Sequence, residues 1–225
     1  MIYKIIIPAR ANSKRLPGKN VKLLAGKPLI EFSIDYALNN FSPNEVWINS
    51  NDLKVIELAR NKGVNILERP EYLAKDNTPT VEVLKYQINH FKKKNIKCDA
   101  LILLQPTNPL RSVNLLREAI SQFELSGKNS LASFSTNERK IGIIKNNFFE
   151  PSNYMPGQRS QDLERQVYEN GLIYITKSES ILKNEIITKD VYPYVCDNIN
   201  SKVDIDYIED FIFAETILKS KNEEK

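Results

Sequence analysis

The sequence predicts an α/β protein: a doubly wound, Rossmann-like sandwich of three layers, with a mostly parallel sheet between two layers of helices. Short apolar strands alternate with segments whose apolar residues recur at helical spacing over the first 123 residues. Several strands are apolar on both faces, as central strands of a parallel sheet are. A chain of 225 residues suits one domain of this class, so we expect residues 1–225 to form a single domain.

The first half contains regular strand–helix units. A strand at 3–7 is followed by a polar loop to Lys27, and Pro28 then suits the first turn of a helix that includes Ile30 and Phe41. The same patterns predict strands at 45–49, 64–67 and 100–104, and helices at 52–62, 80–94 and 115–123.

The pattern changes after Ser130. We expect a strand at 131–136, a hairpin at 141–151 around Asn146-Asn147, a strand at 171–176 and a last helix at about 207–219, with a frayed tail to Lys225. Residues 137–167 are interpreted as an excursion from the sheet. It is expected to be an arm that binds a partner subunit, or a lid.

The basic residues are unevenly distributed. The net charge is +4, but the first 30 residues contain seven lysines and arginines and no acid, and the remainder carries 25 basic and 28 acidic residues. One local basic spot indicates a single anionic ligand and argues against a nucleic-acid partner. Apolar runs are too short for a membrane-spanning helix or a signal peptide, so we expect a cytoplasmic protein with no membrane partner.

Histidine and cysteine are too scarce for several common chemistries. His90 is the single histidine, and its position off the apolar stripe of a helix predicts a solvated surface residue. Cys98 and Cys196 lack metal-ligand spacing and are expected to be free buried thiols. Metal or proton chemistry is therefore expected to depend on carboxylates.

The loop after the first strand is the first candidate site, because ligands of open α/β sheets bind beyond the carboxyl ends of the strands. It contains no acid, and its side chains and glycine suit a polyphosphate: Arg10, Ser13, Lys14, Arg15, Gly18, Lys19 and Asn20. It is not a Walker A loop, because Asn20 stands where Ser or Thr is required. A solvated basic loop is the alternative interpretation.

Six blocks spread over nearly the whole chain carry a family resemblance. They are IPARANSKRLPGKN (7–20), SND (50–52), RPEYLAKDNTPT (69–80), LLQPTNPLR (103–111), ENGLIYI (169–175) and VDIDYIED (203–210). In this order they resemble the acylneuraminate cytidylyltransferases, the CMP-sialic acid synthetase family. The related KDO cytidylyltransferases have proline after the loop's Gly-Lys pair, so Asn20 favours the sialic acid branch.

The resemblance implies roles for the residues of these blocks. CTP would be bound by Arg10, Ser13, Lys19 and Asn20, with Arg10 and Lys19 on the phosphates, where fixed cations stabilise departing pyrophosphate. The sugar would be bound by five side chains: Thr80, Gln105, Thr107, Asn170 and Tyr174. Some of these positions have ordinary structural explanations too, since Tyr174 suits a core strand and the prolines beside Gln105 and Thr107 shape a turn.

Three charged residues of these blocks are left with alternatives. Lys14 and Arg15 either assist in binding phosphate or are solvated. Arg111 either supports its loop or reaches a phosphate.

The segment VDIDYIED is the second candidate centre. In an extended backbone Asp204 and Asp206 point to one side and offer oxygen ligands to a hard cation. Alternatively, Asp206 caps the last helix together with Glu209. The resemblance matches this segment to the family's metal-binding motif, and so implies Mg²⁺ at Asp204 and Asp206, with Asp206 catalytic beside Arg10 and Lys19. Asp210 receives no role.

Two departures from the family pattern bear on the substrate. The usual Arg-Gln-Asp-Leu-Pro stretch reads RSQDLE at 159–164, so either Arg159, which we assign to the sugar, or Arg165 serves the site. Ile186-Ile187 lies near the place where sialic acid enzymes carry an aromatic pair. That difference indicates another nine-carbon acid, such as legionaminic acid, or a different alignment.

The expected reaction joins CMP from CTP to the anomeric hydroxyl of a sialic-acid-like sugar, with release of pyrophosphate. The proton would go to a metal-held carboxylate or to hydroxide. The expected ligands are CTP, Mg²⁺ and a sugar acid, and the resemblance implies a homodimer. The alternatives are a pseudaminate or KDO-like cytidylyltransferase, a D-x-D glycosyltransferase and an inactive CTP-binding protein.

Overall fold

The computed structural model describes the backbone of residues 1–11 and 13–223, with side chains as far as Ser220. Its strands, in chain order, are β1 (Tyr3–Ala9), β2 (Leu23–Leu24), β3 (Lys27–Pro28), β4 (Val46–Ser50), β5 (Asn65–Glu68), β6 (Ala100–Leu103), β7 (Ser130–Asn137), β8 (Gly142–Lys145), β9 (Phe148–Pro151), β10 (Gln166–Lys177) and β11 (Tyr192–Val195). The α-helices are α1 (Leu29–Leu38), α2 (Leu53–Asn61), α3 (Thr80–Lys93), α4 (Leu115–Ser126), α5 (Ser178–Leu182) and α6 (Ile208–Glu223). None of these helices is long and apolar enough to cross a membrane.

Seven strands form the central sheet, in the order β11-β7-β10-β6-β1-β4-β5. All neighbouring pairs are parallel except those of β10, which runs antiparallel to both β6 and β7. Helices α1, α2 and α4 pack on one face of the sheet, and α3 and α5 pack on the other. The predicted doubly wound, mostly parallel three-layer architecture is therefore confirmed.

Local sequence explains where the elements begin and end. The side chains of Ile5, Ile6 and Ile7 are fully buried on both faces of β1, which makes it a central strand. Helix α2 begins after Asp52, whose carboxylate accepts a hydrogen bond from the amide of Lys54 at 3.0 Å. Because β1 and β6 are parallel neighbours, the loop after β1 and the loop after β6 lie at the same end of the sheet.

Several expectations about the fold are wrong. Helix α1 ends at Leu38, before Phe41, and helix α5 was not expected. Strand β11 was not expected; its segment YPYV is only half-buried and contains Pro193, which an edge strand tolerates. Helix α6 continues to Glu223, so residues 219–223 are not a frayed tail, while Glu224 and Lys225 lie outside the described residues. His90 is half-buried, with its ring 5.6 Å from that of Trp47, and is not a solvated side chain.

The cysteines agree with the sequence analysis. Both are free, and Cys196 is buried while Cys98 is partly buried. Burial raises the pKa of each thiol to about 11, which keeps it protonated at neutral pH.

The excursion, residues 137–167, contains the expected hairpin. Strands β8 and β9 pair antiparallel, and Asn146 and Asn147 connect them with φ of 50° and 66°, as a two-residue turn in the left-handed region requires. Its apolar side chains are accessible: Ile144 is 78% exposed and Phe148 is 75% exposed. The role of the excursion as an arm or a lid stays a prediction.

Candidate active site

The candidate site is a cleft at the carboxyl ends of β1 and β6. A cavity of about 460 Å³ is lined mainly by the loop after β1, together with Asp76, Thr107 and Asp206. A narrower recess of about 170 Å³ shares Arg10, Asp76 and Thr107 with it and extends toward further polar side chains: Arg69, Thr78, Thr80 and Gln105. The structure thus brings together the predicted CTP-binding loop, one of the predicted metal ligands and three predicted sugar ligands.

The basic loop is held in shape by its own polar groups. Gly18 has φ of 67° and leads into a short 3-10 helix, Lys19–Val21, in which Lys19 and Asn20 are buried. The side-chain nitrogen Nδ2 of Asn20 donates to the backbone carbonyl of Arg10 at 3.1 Å, and Ser13 Oγ accepts from the backbone amide of Leu16 at 3.4 Å. Ser13 and Asn20 therefore shape the loop around the cavity.

Lys19 joins the basic loop to the acidic segment near the carboxyl end of the chain. Its Nζ donates to the carbonyl of Ile205 at 2.7 Å and to Asp206 Oδ1 at 3.0 Å. Arg15 forms an ion pair with the other oxygen of the same carboxylate. The two candidate centres of the sequence analysis are therefore one site, and Arg15 is not simply solvated.

A second acid balances the remaining cations of the loop. Asp76 pairs with Arg10, and its Oδ2 lies 2.6 Å from Lys14 Nζ. Hydrogen bonds from Lys14 and Arg10 lower the pKa of the Asp76 carboxyl. Each cation on this side of the cleft thus has a carboxylate partner that an anionic ligand could replace.

The candidate metal ligands lie on the accessible side of an extended segment. Val203 and Ile205 are buried, while Asp204 and Asp206 are accessible. The amide of Ile205 donates to the carbonyl of Thr107 at 2.8 Å, which ties the segment to the loop after β6. The alternation puts both carboxylates on one side, as the sequence analysis expected.

Helix α6 does not need Asp206 as its cap. Asp210 Oδ2 accepts from the backbone amides of Asp206 at 3.0 Å and Tyr207 at 2.9 Å. The alternative in which Asp206 caps the helix with Glu209 is therefore wrong. Asp210, which had no predicted role, satisfies the helix start and leaves the Asp206 carboxylate in the cleft.

The two carboxylates suit a magnesium ion that completes its shell with substrate. Although the Asp204 side chain is accessible, the protein packed around its carboxyl partly desolvates it and raises its pKa; the charges of Asp206 and Asp210 raise that pKa further, while a hydrogen bond from Thr107 lowers it. Among the described side chains, which end at Ser220, no three acidic, histidine or cysteine residues converge to hold a metal. One or two carboxylates completed by phosphate oxygens and water is the arrangement that Mg²⁺ commonly adopts.

Three of the predicted sugar ligands line the recess, whereas Tyr174 lines neither the recess nor the cleft. The three are Thr80, Gln105 and Thr107. Tyr174 is buried, its hydroxyl donates to Glu169 at 3.1 Å, and burial followed by the charge of Glu169 raises its pKa.

Asn170, Arg159 and Arg165 are not brought to the cleft of their own chain. Asn170 is buried and donates to Ser135 Oγ at 3.0 Å, so the fold uses its amide. Arg159 pairs with Asp162 at 2.7 Å, and Arg165 lies 3.6 Å from Asp197. Neither arginine lines the cleft or the recess.

Arg111 supports the loop after β6. It is buried and donates to the carbonyls of Leu172 and Gln105, each at 2.7 Å, and to Ser33 Oγ at 3.0 Å. Burial lowers its pKa to about 10. Of the two alternatives for Arg111, the structure shows the supporting role.

Asn108 and Gly171 complete this support. Asn108 is fully buried and donates to the carbonyls of Asn170 and Val203, each at 2.9 Å, so it links the loop to β10 and to the acidic segment. Gly171 has φ of 75°, and a Cβ there would lie 2.8 Å from Asn108 Oδ1 and from Gln105 Oε1. The close backbone approach therefore needs glycine.

Arg69 is a recess residue for which the sequence analysis gave no role. It is buried, and desolvation followed by the charge of Arg10 lowers its pKa to about 10. The residue appears in the block RPEYLAKDNTPT, directly after a predicted strand, and that position was the signal that could have identified it.

The family of proteins described as Cytidylyltransferase matches this chain over residues 4–224. The chain is 31% identical to the CMP-N,N'-diacetyllegionaminic acid synthase of Legionella pneumophila and 31% identical to a pseudaminic acid cytidylyltransferase of Campylobacter jejuni, in each case over 97% of both proteins. It is 30% identical to an N-acylneuraminate cytidylyltransferase of Streptococcus agalactiae, over 92% of this chain and 51% of that protein.

The fold has a counterpart among solved structures. A CMP:2-keto-3-deoxy-manno-octonic acid synthetase complexed with CTP superposes with a TM-score of 0.73 at 15% identity, over 97% of this chain and 99% of that one. At this identity the likeness concerns the fold alone. The sequence match over residues 4–224 shows that the chain belongs to the cytidylyltransferase family of nucleotidyltransferases.

Proposed function

We propose that this enzyme transfers CMP from CTP to the anomeric hydroxyl of a nonulosonic acid and releases pyrophosphate. The observation that carries the proposal is the contact between Lys19 and Asp206, which joins an acid-free cationic loop to a pair of carboxylates across one cleft. A nucleotidyl transfer needs both parts, because it binds a triphosphate and builds negative charge on the departing pyrophosphate.

The cations of the cleft would bind the triphosphate. Arg10 and Lys14 now pair with Asp76, and Arg15 and Lys19 pair with Asp206. Phosphate oxygens offer the same bidentate and point-charge partners with more negative charge, so they can replace the two carboxylates. Arg10 and Lys19, the less exposed of these cations, would hold the leaving group.

Asp204 and Asp206 would hold Mg²⁺. When bound, the ion would neutralise phosphate charge and lower the barrier to attack on the α-phosphate. Asp204 forms no ion pair among the described residues, so it remains available as a ligand. These two carboxylates are also our proposed acceptors for the hydroxyl proton, because His90 lies against Trp47 and not at the cleft.

We propose an acid of the legionaminic or neuraminic type as the substrate. Relatives over the full length of the chain are named for legionaminic and pseudaminic acids, and a further relative is named for N-acylneuraminate. Ile186-Ile187 does not discriminate between them, since both side chains pack against the core and line neither cavity. Gln105, Thr107 and Thr80 are the proposed sugar contacts within the chain.

We further propose a cytoplasmic homodimer in which the excursion reaches the partner's cleft. Exposed apolar side chains on the hairpin, including Ile144 and Phe148, support a partner surface. Arg159 lies outside its own cleft and pairs with Asp162, a local and exposed partner that a substrate carboxylate could replace.

Pyrophosphate release from CTP and magnesium tests the proposal, with N-acetylneuraminic, legionaminic, pseudaminic and KDO acids supplied separately. Release that depends on one acid would establish the reaction and name the substrate. Asp204→Asn should abolish it while circular dichroism and CTP binding remain. Failure of the wild-type protein to bind CTP would overturn the proposal.

A further inference from the structure

A chain of buried polar side chains lies behind the recess. Arg69 Nε donates to Asn49 Oδ1 at 2.8 Å, and its Nη2 donates to the backbone carbonyl of Asn49 at 2.9 Å. Asn49 Nδ2 in turn donates to Gln87 Oε1 at 3.2 Å. Asn49 and Gln87 are fully buried and Arg69 is 7% exposed, so solvent cannot substitute for these partners.

Arg69 determines the direction of each hydrogen bond among these three buried side chains. A guanidinium has donors only, so Asn49 must turn its carbonyl oxygen toward Arg69 and its NH₂ group toward Gln87. Gln87 must then accept with Oε1, which turns its own NH₂ group away. Gln87 Nε2 is indeed buried without a hydrogen-bond partner. An unpaired buried donor is unfavourable. The fold nevertheless keeps the acceptors of Arg69 and leaves Gln87 Nε2 unpaired, as expected if holding Arg69 in place is what these side chains are for.

Arg69 carries a charge that the described residues leave unbalanced. Among the side chains described, residues 1–11 and 13–220, no carboxylate forms an ion pair with it, whereas Arg10, Lys14, Arg15 and Lys19 each have one. It lines the recess that opens into the cationic cleft. A buried guanidinium held by neutral partners beside a binding cleft is suited to donate to an oxygen acceptor of a ligand.

We propose that Asn49 and Gln87 are positioning residues for nucleotide binding: they hold the guanidinium of Arg69 on the side of the recess that it shares with Arg10, a proposed phosphate ligand, so that it donates to CTP. The inference rests on the proposed function, because it takes CTP as the ligand of the cleft. Neither Asn49 nor Gln87 touches the ligand. Their effect passes through Arg69 and is therefore an effect on CTP affinity and not on the chemical step.

The test compares CTP dissociation constants, measured by calorimetry, with KM and kcat from pyrophosphate release. Gln87→Leu removes the acceptor of Asn49 and frees Asn49 to turn, so CTP affinity should fall about tenfold, as for a lost hydrogen bond to a charged group. The value of kcat and the KM for the sugar acid should stay near those of the wild type.

Two variants separate positioning from packing. Asn49→Asp keeps an acceptor for Arg69, and Gln87 can rotate to donate Nε2 to it, so affinity should stay closer to the wild type than in Gln87→Leu. Trp47→Phe is the matched control. It removes a second unpaired buried donor, Trp47 Nε1, from the layer between β4 and α3 without touching Asn49 or Arg69, and should leave CTP affinity unchanged.

The outcomes distinguish this inference from the proposed function. If the wild type does not bind CTP, the proposed function fails. If it binds CTP and folded Gln87→Leu binds equally well, or if Trp47→Phe weakens binding as much, the positioning role is overturned. Should Gln87→Leu not fold, Arg69→Lys decides: a lysine cannot bridge both acceptors of Asn49, and unchanged CTP affinity in that variant would overturn the inference.

Discussion

The cleft and the excursion use charged and apolar residues in opposite ways. In the cleft, ion pairs join distant parts of the chain, as between Lys19 and Asp206, and buried polar side chains hold the loops. In the excursion two ion pairs are local, between Lys145 and Glu150 and between Arg159 and Asp162, a third joins Arg165 to Asp197 outside it, and apolar side chains face solvent. The cleft is therefore organised by its own chain, whereas the excursion presents a surface that a partner would complete.

The largest effect is expected in the cleft. Lys19→Met removes a nearly buried ammonium that links the basic loop to Ile205 and Asp206. We expect kcat for pyrophosphate release to fall on the order of a hundred- to thousandfold, because a fixed charge at the leaving group is lost. Lys22→Met, at the residue that follows the same short 3-10 helix and outside the cleft lining, is the control and should retain activity. Equal loss in both variants would contradict the assignment.

The next effect concerns the excursion surface. Phe148→Glu places a charge on the exposed hairpin, and we expect the dimer dissociation constant to rise at least about thirtyfold, as for the loss of an interface hot spot. Analytical ultracentrifugation measures it. Lys145→Gln, opposite Phe148 in the hairpin register, leaves the apolar surface intact and should keep the dimer. A wild-type protein that is monomeric at micromolar concentration would contradict the proposed role of the excursion as a dimerisation arm.

Mixed dimers show which chain supplies the arginine. Lys19→Met and Arg159→Ala homodimers should both be inactive. A heterodimer of the two, isolated through different tags, should recover one active site, because the intact Lys19 cleft receives Arg159 from the other chain. If the Arg165→Ala homodimer is the inactive one instead, recovery in its heterodimer with Lys19→Met would assign the role to Arg165. No recovery with either variant would show that neither arginine acts across subunits.

A smaller effect separates backbone strain from site geometry. Gly171→Ala and Gly63→Ala each put a Cβ on a residue with positive φ, of 75° and 69°, and each should lower the free energy of unfolding by about 1–2 kcal/mol in urea titrations. Space is open at Gly63, but at Gly171 the new Cβ meets Gln105 Oε1 and Asn108 Oδ1. Only Gly171→Ala should therefore raise the KM for the sugar acid. Equal KM values in the two variants would exclude this contact from substrate binding.

The smallest effect is expected from Asp76→Asn. The variant frees Arg10 and Lys14 from a carboxylate that competes with the triphosphate, so CTP should bind about two- to fivefold more tightly at low salt, the range typical of an exposed ion pair. The gain should shrink as ionic strength rises. Calorimetry at two salt concentrations measures both effects. Weaker CTP binding would show instead that Asp76 contributes to the ligand site.

The regular elements were predictable because their signals are local. The apolar spacing of β1 and α3 and the Asn-Asn turn of the hairpin need only neighbouring residues, and the structure has them within a few residues of the expected positions. Strand β11 was not predictable in this way. Its partner β7 lies some 60 residues away, and its own half-buried segment contains a proline.

Many residues of the candidate site were predictable from the sequence, but their hydrogen-bond partners were not. The sequence by itself determined the acid-free cationic loop, its place after the first strand, and the carboxylate pair, because residue type and the apolar pattern of a strand are local properties. Only the tertiary structure decided that Arg111 supports a loop, that Asp210 rather than Asp206 serves α6, and that the fold uses the amide of Asn170. The partners of buried polar side chains come from distant segments, and hydrogen-bond geometry exists only once those segments have packed.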